Sequence, residues 1–547
     1  MNRSKKVDIF DTTLRDGQQC PGAAMSLANN IKYFKLASAM KIDIIEAGFP
    51  SASSLDYEIV NTIARETLCQ SFQPVIAALC QLRAEQVETT IEALEPVNAI
   101  GKGRLHTYVP VDPELMAASL GGLSLNKSKI VEDVYRLVKL ASSQGQQVQF
   151  SPEGYSRMRE NFDFTTELIM AAVEAGATII NCPDTIGGAS SLQGKDYFVK
   201  HMNIHADMVK KHYPDKEIVW SVHCHNDLGL AVQNSINGVF EGPARQIEGC
   251  INGIGERAGN ASLEQCIMII NQFQNSGEDS FYCQADIEAI QEISDFVDVH
   301  MLPRQPHWPI TGANAARHSS GGHTNAILKN PMAYQPFDPR LIGKQVSFCF
   351  GPLSGGNHAR SIIESHGFVC KEEEKAEIAQ FIKDASMDRR KGISDAELIN
   401  LYFRFRQPMN INSLDYARQG STSSVKIKGQ FFGKEGLFEA GNTGKDSALA
   451  ALKALIEEQF GAIAIISHES RSDSSGIDAN SISTIVIEDE YQNRFQGSAC
   501  DQDIEISAMR AFIDAVNKSF VCRYFAISGN SRAYEAQEHQ TPSLFVA

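Results

Sequence analysis

The chain has 547 residues, 43% of them hydrophobic and 21% charged, a composition typical of a globular protein with about two to four domains. Its formal net charge of −16 argues against nucleic acid or an anionic membrane as partner. An anionic substrate would therefore need a local positive group, supplied by a metal ion or an arginine. No run of about 18 apolar residues occurs, so the sequence excludes a membrane-spanning helix.

The N-terminus and the cysteines predict a cytoplasmic location. A strand-like segment begins within about seven residues of Met1 and leaves no room for a targeting peptide. The 12 cysteines show no CxxC pairs, as expected for reduced thiols rather than a disulfide framework.

Over roughly the first 275 residues, short β-rich runs alternate with helical stretches. Helices are predicted over Leu27–Met40, Lys129–Ser142, Phe164–Ala175 and Leu228–Phe240. The predicted strands are Val7–Phe10, Ile42–Ala47, Pro74–Ala78, Leu105–Val109, Gln147–Phe150, Thr178–Asn181, Ile218–Val222 and Gln246–Gly249. Eight such units predict an α/β fold, a (β/α)₈ TIM barrel over residues 1–280, with a doubly wound open sheet as the alternative.

Two further regions follow the barrel. Residues 281–420 mix helical segments with Pro- and Gly-bearing loops, which predicts a helical linker subdomain. Residues 421–547 contain two similar halves, each a set of β-rich runs leading into a helix, Lys445–Gln459 or Ile504–Asn517. This pattern predicts a duplicated α+β domain.

Polar motifs follow the predicted strands at their C-terminal ends, where TIM barrels carry their chemistry. His223 and His225 are two residues apart on a strand, so both imidazoles face the same side and can share one ion. Asp16 follows the first strand, a near neighbour in a closed barrel. Two histidines and a carboxylate suit a divalent cation, whereas single polar strand-end residues are the alternative reading. Asn226 and Asp227 are candidates for orienting the imidazoles.

Arg15, beside Asp16, indicates the direction of the chemistry. A 2-oxo acid can chelate a metal through its carboxylate and keto oxygens, and attack by a carbon nucleophile then builds negative charge on the keto oxygen. A permanently charged guanidinium stabilises that charge. An arginine paired with a neighbouring carboxylate is the structural alternative, and the two readings are compatible.

Three separated motifs together resemble those of the DRE-TIM metallolyases: DTTLRDG at 11–17, HCHND at 223–227 and NGIGERAGN at 252–260. With EAGFP at 46–50 and the full-length architecture, the chain resembles the 2-isopropylmalate/homocitrate synthase family. The resemblance extends over the whole chain and is strongest over about residues 7–275.

This resemblance implies one divalent cation, Mn²⁺, Mg²⁺ or Zn²⁺, and a role for each matching residue. Arg15 would contact the keto oxygen, Glu153 would act in acid–base steps, and His323 would be a general base or relay for the acetyl methyl proton. In relatives the matching histidine reaches the active site of the partner subunit. The implied metal ligands are Asp16, His223, His225 and Asn260, and the implied lining of the 2-oxo acid site is His106, Ser151 and Thr185.

The implied reaction condenses acetyl-CoA with 3-methyl-2-oxobutanoate to give 2-isopropylmalate and CoA. A homodimer and a leucine effector are also implied. Gly188, Gly322 and the string EAGNTGKDSALAAL depart from the common family pattern, which leaves the substrate side chain and the leucine response open. Citramalate or homocitrate synthesis is the nearest alternative. A metal-dependent C–C lyase is disfavoured by the long extension beyond the barrel, and a non-catalytic effector-binding protein by the joint presence of the site residues.

Overall fold

Eight parallel strands pair in chain order, and the last pairs with the first, so that the sheet closes into a barrel. This confirms the predicted α/β barrel. The strands are β1 Asp8–Asp11, β2 Ile44–Glu46, β3 Val75–Gln81, β4 Gly103–Pro110, β5 Gln147–Glu153, β6 Ile179–Asp184, β7 Val219–Cys224 and β8 Ala244–Gly249. Each predicted strand overlaps one of these, and most extend further toward the C-terminal end than the apolar pattern indicated.

The structure is a computed structural model that describes residues 4–274, 280–387, 392–420, 422–443, 447–473 and 479–527. The chain forms two compact units. The first contains residues 1–316 and 335–345, and the second contains residues 317–334 and 346–547. Within the described ranges, no helix combines the length and the apolar character needed to cross a membrane.

Helices surround the barrel in the first unit. They are α1 Leu27–Ala39, α2 Ser54–Thr67, α3 Ala84–Ala93, α4 Glu95–Asn98, α5 Pro113–Leu120, α6 Lys127–Ser143, α7 Phe162–Ala175, α8 Phe198–His212, α9 Ala231–Phe240, α10 Leu263–Phe273 and α11 Ile290–His300. Helix α6 begins two residues before its predicted start because the Asn126 side chain accepts a bond from Lys129 N at 3.1 Å and caps it.

The predicted helix Leu228–Phe240 begins too early. Helix α9 starts at Ala231, because Gly229 has a φ of +73° and the chain is still turning at that residue. The Asn226 side chain accepts from Ala231 N at 3.3 Å and so marks the true beginning of the helix.

Six helices and two three-stranded sheets make up most of the described part of the second unit, together with a two-residue pairing of Arg317–His318 with Ser347–Phe348. The helices before the sheets are α12 Gly321–Lys329, α13 Gly356–Ser365, α14 Lys375–Ala385 and α15 Asp395–Arg406. The first sheet contains β9 Met409–Gln419, β10 Thr422–Phe431 and β11 Lys434–Thr443, and α16 Ala448–Phe460 follows it. The second sheet contains β12 Ile463–Ser472, β13 Ser481–Asp489 and β14 Arg494–Asp501, and α17 Ile504–Phe525 follows it. The predicted duplication is therefore present as two antiparallel β-β-β-α halves.

The C-terminal sheet starts earlier than the predicted boundary at Ser421. Strand β9 lies before that residue and forms one hairpin with β10, whose turn contains Gly420 at a φ of +61°. The predicted helix Lys445–Gln459 begins in residues 444–446, which lie outside the described ranges, as do residues 528–547 of the predicted domain.

A buried hydrogen bond fixes the chain where β1 leads into the loop that carries Arg15 and Asp16. The Tyr33 hydroxyl on α1 donates to Asp11 Oδ2 at 2.6 Å, and Thr13 N donates to Asp11 Oδ1 at 2.9 Å. Asp11 and Tyr33 have no exposed surface. Burial raises the pKa of Asp11 above its ordinary value, so these donors must compensate for lost hydration.

We expect Tyr33→Phe to lower the free energy of unfolding by about 1–3 kcal/mol, because it leaves the buried Asp11 with one donor fewer. Urea denaturation followed by circular dichroism measures this loss. Tyr135→Phe, at a tyrosine that is 41% exposed, is the matched control and should behave like the parent protein. Equal stabilities for both variants would contradict the structural role assigned to Tyr33.

Candidate metal centre and active site

Two neighbouring loops at the C-terminal end of the barrel are tied together by backbone contacts. Thr12 N donates to Gly249 O at 2.9 Å, and Ile251 N donates to Thr13 Oγ1 at 2.9 Å. The loop after β1 is therefore held against the loop after β8. Asp16 is brought in this way to the same rim as the end of β7.

Asp16, His223 and His225 converge at this rim, and each is more than nine-tenths buried. The two Nε2 atoms are 3.3 Å apart, and Asp16 Oδ2 lies 3.7 Å from His223 Nε2 and 3.9 Å from His225 Nε2. Donor atoms that share one tetrahedral ion at ordinary bond lengths lie roughly 3.4 Å apart. The spacing therefore fits a single cation, and among the described residues this is the one cluster of its kind.

The protonation states of the three groups suit a cation. Burial, reinforced by His225, lowers the pKa of His223 to about 3, and burial likewise lowers the pKa of His225. Burial alone would raise the pKa of Asp16, but Arg15 and the two imidazoles hold it well below its ordinary value. Two neutral imidazoles and one carboxylate are the forms that bind a metal ion.

Asn260 extends the cluster. Its Nδ2 donates to Asp16 Oδ1 at 2.9 Å and to Ile254 O at 3.0 Å, while its Oδ1 is buried without a hydrogen-bond partner among the described residues. Gly255, at a φ of +154°, passes so close that a Cβ at this position would collide with Asn260 Nδ2 and meet Asp16 Oδ1 at 3.1 Å. Gly255 of the NGIGERAGN motif therefore makes room for the hydrogen bond between Asn260 and Asp16.

Arg15 lies between two carboxylates. Its Nη1 donates to Asp16 Oδ2 at 2.8 Å and its Nε donates to Glu46 Oε2 at 2.6 Å. The structural alternative raised for Arg15 is therefore present. The third nitrogen, Nη2, makes no hydrogen bond within the described residues, so the guanidinium still has a donor to offer a ligand.

Glu46, the last residue of β2, organises a second group of side chains. Its Oε1 accepts from His106 Nδ1 at 2.6 Å, which assigns the proton to Nδ1 because an ionised carboxylate only accepts. His106 Nε2 then accepts from the Ser151 hydroxyl at 2.8 Å, and Ser151 Oγ accepts from Asn181 Nδ2 at 2.9 Å. The predicted pair His106 and Ser151 is thus joined in one directed chain.

Thr185 and Glu153 lie at the ends of β6 and β5. Thr185 Oγ1 accepts from Gly154 N at 2.9 Å, which leaves its hydroxyl proton available to donate. Glu153 is half-buried, and burial raises the pKa of its carboxyl, an effect that Arg15 partly opposes. A carboxyl shifted toward neutral pH is suited to exchanging protons.

His323 belongs to the second unit and is not one of the side chains that the barrel gathers. It is exposed near the start of α12, and its ring stacks on Tyr334 with centroids 3.9 Å apart and planes 15° apart.

Sequence reasoning assigned the imidazole partners wrongly. Asn226 Oδ1 accepts from Ala231 N at the start of α9, and Asp227 Oδ1 pairs with Arg257 Nε at 2.9 Å, so neither side chain bonds to an imidazole. The residues that were missed are Glu46, Asn181 and Glu248. Glu46 stands within the EAGFP motif, whereas Asn181 and Glu248 occur in apolar strands with no local signal of their own.

Comparison with known proteins agrees with this geometry. A family profile described as HMGL-like matches residues 6–297, a homocitrate synthase post-HMGL domain-like profile matches residues 310–391, and a LeuA allosteric (dimerisation) domain profile matches residues 405–520. The 2-isopropylmalate synthase of Heliobacterium modesticaldum is 33% identical over 94% of this chain and 97% of that protein. The chain belongs to the 2-isopropylmalate synthase family.

Other members of the family are similarly close. The 2-isopropylmalate synthase of Neisseria meningitidis serogroup B is 32% identical over 95% of this chain, and that of Aquifex aeolicus is 31% identical over 96%; 97% and 98% of those proteins are covered. Membership in this family confirms the family predicted from the barrel motifs, EAGFP and the full-length architecture.

Glu46→Gln tests the charge that supports Arg15 and His106. Burial alone would raise the pKa of Glu46, but Arg15 and His106 outweigh it and hold the pKa at about 2. A carboxylate with a depressed pKa contributes stability above its unfolded pKa of about 4.5, and that contribution is lost as the pH falls through about 2. We therefore expect the parent to exceed Glu46→Gln by about 3 kcal/mol in free energy of unfolding above pH 5, with the difference shrinking toward pH 2.

Urea denaturation across this pH range measures the difference between the two proteins. Glu88→Gln, at an exposed glutamate on α3, is the control and should follow the parent at every pH. A difference for Glu46→Gln that does not change with pH would contradict the assigned ion pair.

Proposed function

We propose that this chain condenses acetyl-CoA with 3-methyl-2-oxobutanoate and releases 2-isopropylmalate and CoA. The observation that carries the proposal is the convergence of Asp16, His223 and His225 around one point, with Arg15 against them, in a chain whose relatives along nearly its full length are named 2-isopropylmalate synthases. Those names give the product, and the two substrates are the ones that the family resemblance implies.

The metal ligands in this proposal are Asp16, His223 and His225, with Asn260 as a fourth group through its unpartnered Oδ1. When bound, a divalent cation supplies Lewis-acid stabilisation of negative charge on a substrate carbonyl oxygen. The mixed nitrogen and oxygen donors favour Mn²⁺ or Zn²⁺ over an all-oxygen site typical of Mg²⁺.

The remaining side chains bind and orient the 2-oxo acid. The Arg15 Nη2 group donates to the keto oxygen, where charge grows during attack by the acetyl carbon. The Thr185 hydroxyl donates to the substrate carboxylate, a role that its acceptance from Gly154 N leaves open. His106 and Ser151, fixed by Glu46 and Asn181, line the pocket as rigid groups.

The proposal assigns the proton-transfer steps to Glu153 and His323. The raised pKa of Glu153 supports an acid–base role within the barrel. His323 is assigned the removal of the acetyl methyl proton, and its exposed ring is accessible to a ligand.

The lyase alternative is less well supported. C–C cleavage would need the barrel alone, whereas the three relatives named above match 94–96% of this chain and a LeuA allosteric (dimerisation) domain profile matches residues 405–520. We further propose that the region between the barrel and β9 serves as a linker and that the C-terminal domain responds to leucine and dimerises.

Release of free CoA from acetyl-CoA should depend on 3-methyl-2-oxobutanoate and should stop when EDTA removes the metal. We expect Asp16→Ala and His223→Ala to reduce kcat/KM by more than about 100-fold, because loss of a ligand exceeds the effect of losing an outer partner. A thiol-release assay with pyruvate, 2-oxoglutarate and the branched acid measures both effects. His212→Ala, at an exposed histidine on α8, should retain full activity.

Preference for pyruvate or 2-oxoglutarate would move the assignment to a citramalate or homocitrate synthase. Thiol release that persists with EDTA and with both ligand variants would remove the metal from the reaction.

Leucine should inhibit CoA release by at least about fivefold at saturation, which is the lower range of coupling between an effector and an active site. A titration of initial rate with leucine measures the effect, and glycine at the same concentration is the control. Unchanged rates at saturating leucine, together with no heat of leucine binding in calorimetry, would refute a leucine-regulated C-terminal domain.

A further inference from the structure

A chain of buried polar side chains runs through the barrel interior below the metal centre. It begins at Arg104 on β4, whose Nη1 donates to Gln246 Oε1 at 2.7 Å and to Gln149 Oε1 at 3.3 Å. A guanidinium has donors only, so both amide oxygens must face it. The Nε2 groups of Gln149 and Gln246 are consequently directed away from Arg104.

Both Nε2 groups donate to one oxygen of Glu248. Glu248 Oε1 accepts from Gln149 Nε2 at 2.7 Å, from Gln246 Nε2 at 3.1 Å and from Ser221 Oγ at 2.7 Å. Its Oε2 has no hydrogen-bond partner among the described residues, although Glu248 has no exposed surface. A buried carboxylate oxygen without a donor is costly unless a donor faces it.

The atom that faces Glu248 Oε2 is Nδ1 of His223, 3.9 Å away. This Nδ1 is also buried without a partner in the described part of the chain. His223 and Glu248 stand opposite each other in the β7–β8 ladder, so the backbone holds the two side chains at this separation. His223 Nε2 points the other way, toward His225 and Asp16.

A neutral imidazole carries its proton on one nitrogen, and only the other can bind a metal ion. We propose that Glu248 is a positioning residue that accepts the Nδ1 proton of His223 in a hydrogen bond and so keeps the Nε2 lone pair directed at the cation. Outer carboxylates commonly fix metal-bound histidines in this way. The inference rests on the metal site proposed above, and Arg104 supplies the buried positive charge that balances Glu248.

Glu248→Gln should reverse the hydrogen bond to His223 and so weaken metal binding. Because Arg104 fixes the direction of the amides of Gln149 and Gln246, the new amide oxygen must take the place of Oε1. Its NH₂ group then faces His223 Nδ1 and donates to it, which forces the proton onto Nε2. We expect Mn²⁺ affinity to fall by about 10–100-fold, with the unfolding temperature close to that of the parent.

Glu248→Ala separates this role from a purely structural one. Alanine removes the partner of His223 without imposing the wrong proton position, but it removes the buried acceptor of Gln149 Nε2 and of the Ser221 hydroxyl. We expect Glu248→Ala to lower the unfolding temperature more than Glu248→Gln and to weaken Mn²⁺ binding less. A merely structural role for Glu248 would make alanine the more damaging change in both measurements.

Electron paramagnetic resonance of free Mn²⁺ measures the affinity of the full-length protein without a turnover assay, and differential scanning calorimetry gives the unfolding temperature. Asp43→Asn is the matched control, since Asp43 is a buried carboxylate at the opposite end of the barrel strands, where it accepts from Ile9 N at 2.9 Å. It should leave Mn²⁺ affinity unchanged.

Two results would overturn the inference, and they are distinguishable. Mn²⁺ binding by the parent that Asp16→Ala abolishes, with Glu248→Gln equal to the parent, would reject the role of Glu248 while retaining the metal site. That result would also be found if Glu248 were itself protonated and donated to Nδ1 as the amide does. Absence of Mn²⁺ binding by the parent would reject the metal site and the role of Glu248 together.

Discussion

Two buried carboxylates at the end of a barrel have to be neutralised where they lie, and the largely enclosed guanidinium of Arg15 pairs with both at once. Its Nε binds Glu46 and its Nη1 binds Asp16. The Arg15 guanidinium therefore fixes both the carboxylate that holds His106 and a candidate ligand of the metal centre. Each carboxylate then uses its other oxygen, Glu46 to hold His106 and Asp16 to hold Asn260. Removal of Arg15 would leave two buried charges unpaired, which typically costs several kcal/mol.

A second charge pair lies deeper in the barrel. Arg104 and Glu248 do not touch directly but are linked through the amides of Gln149 and Gln246. Because a guanidinium only donates, the bonds from Arg104 through the two amides all run toward Glu248, whose Oε2 faces the imidazole of His223. In this polar network, Arg104 near the N-terminal end of β4 sets the direction of the side-chain hydrogen bonds, and Glu248 near the C-terminal end of β8 receives them.

The second unit contains an internal repeat. Its two β-β-β-α halves each have an irregular register in the first strand, between Ile411 and Ser413 in one and between Ile465 and Ser467 in the other. A bulge bends and twists a strand, and its recurrence at the matching place argues that the halves share one architecture. The LeuA allosteric (dimerisation) domain profile, at residues 405–520, extends over both halves.

The sequence by itself determined the barrel, because alternating β-rich and helical periods recur eight times, and it located Asp16, His223 and His225 by the rule that chemistry follows the strand ends. It placed the start of α9 three residues too early and set the C-terminal boundary inside a hairpin, since both depend on turn geometry at Gly229 and Gly420. Only the tertiary structure revealed the partners of the site residues. Glu46, Asn181 and Glu248 lie on separate strands, and contacts across a closed sheet leave no local pattern in any one of them.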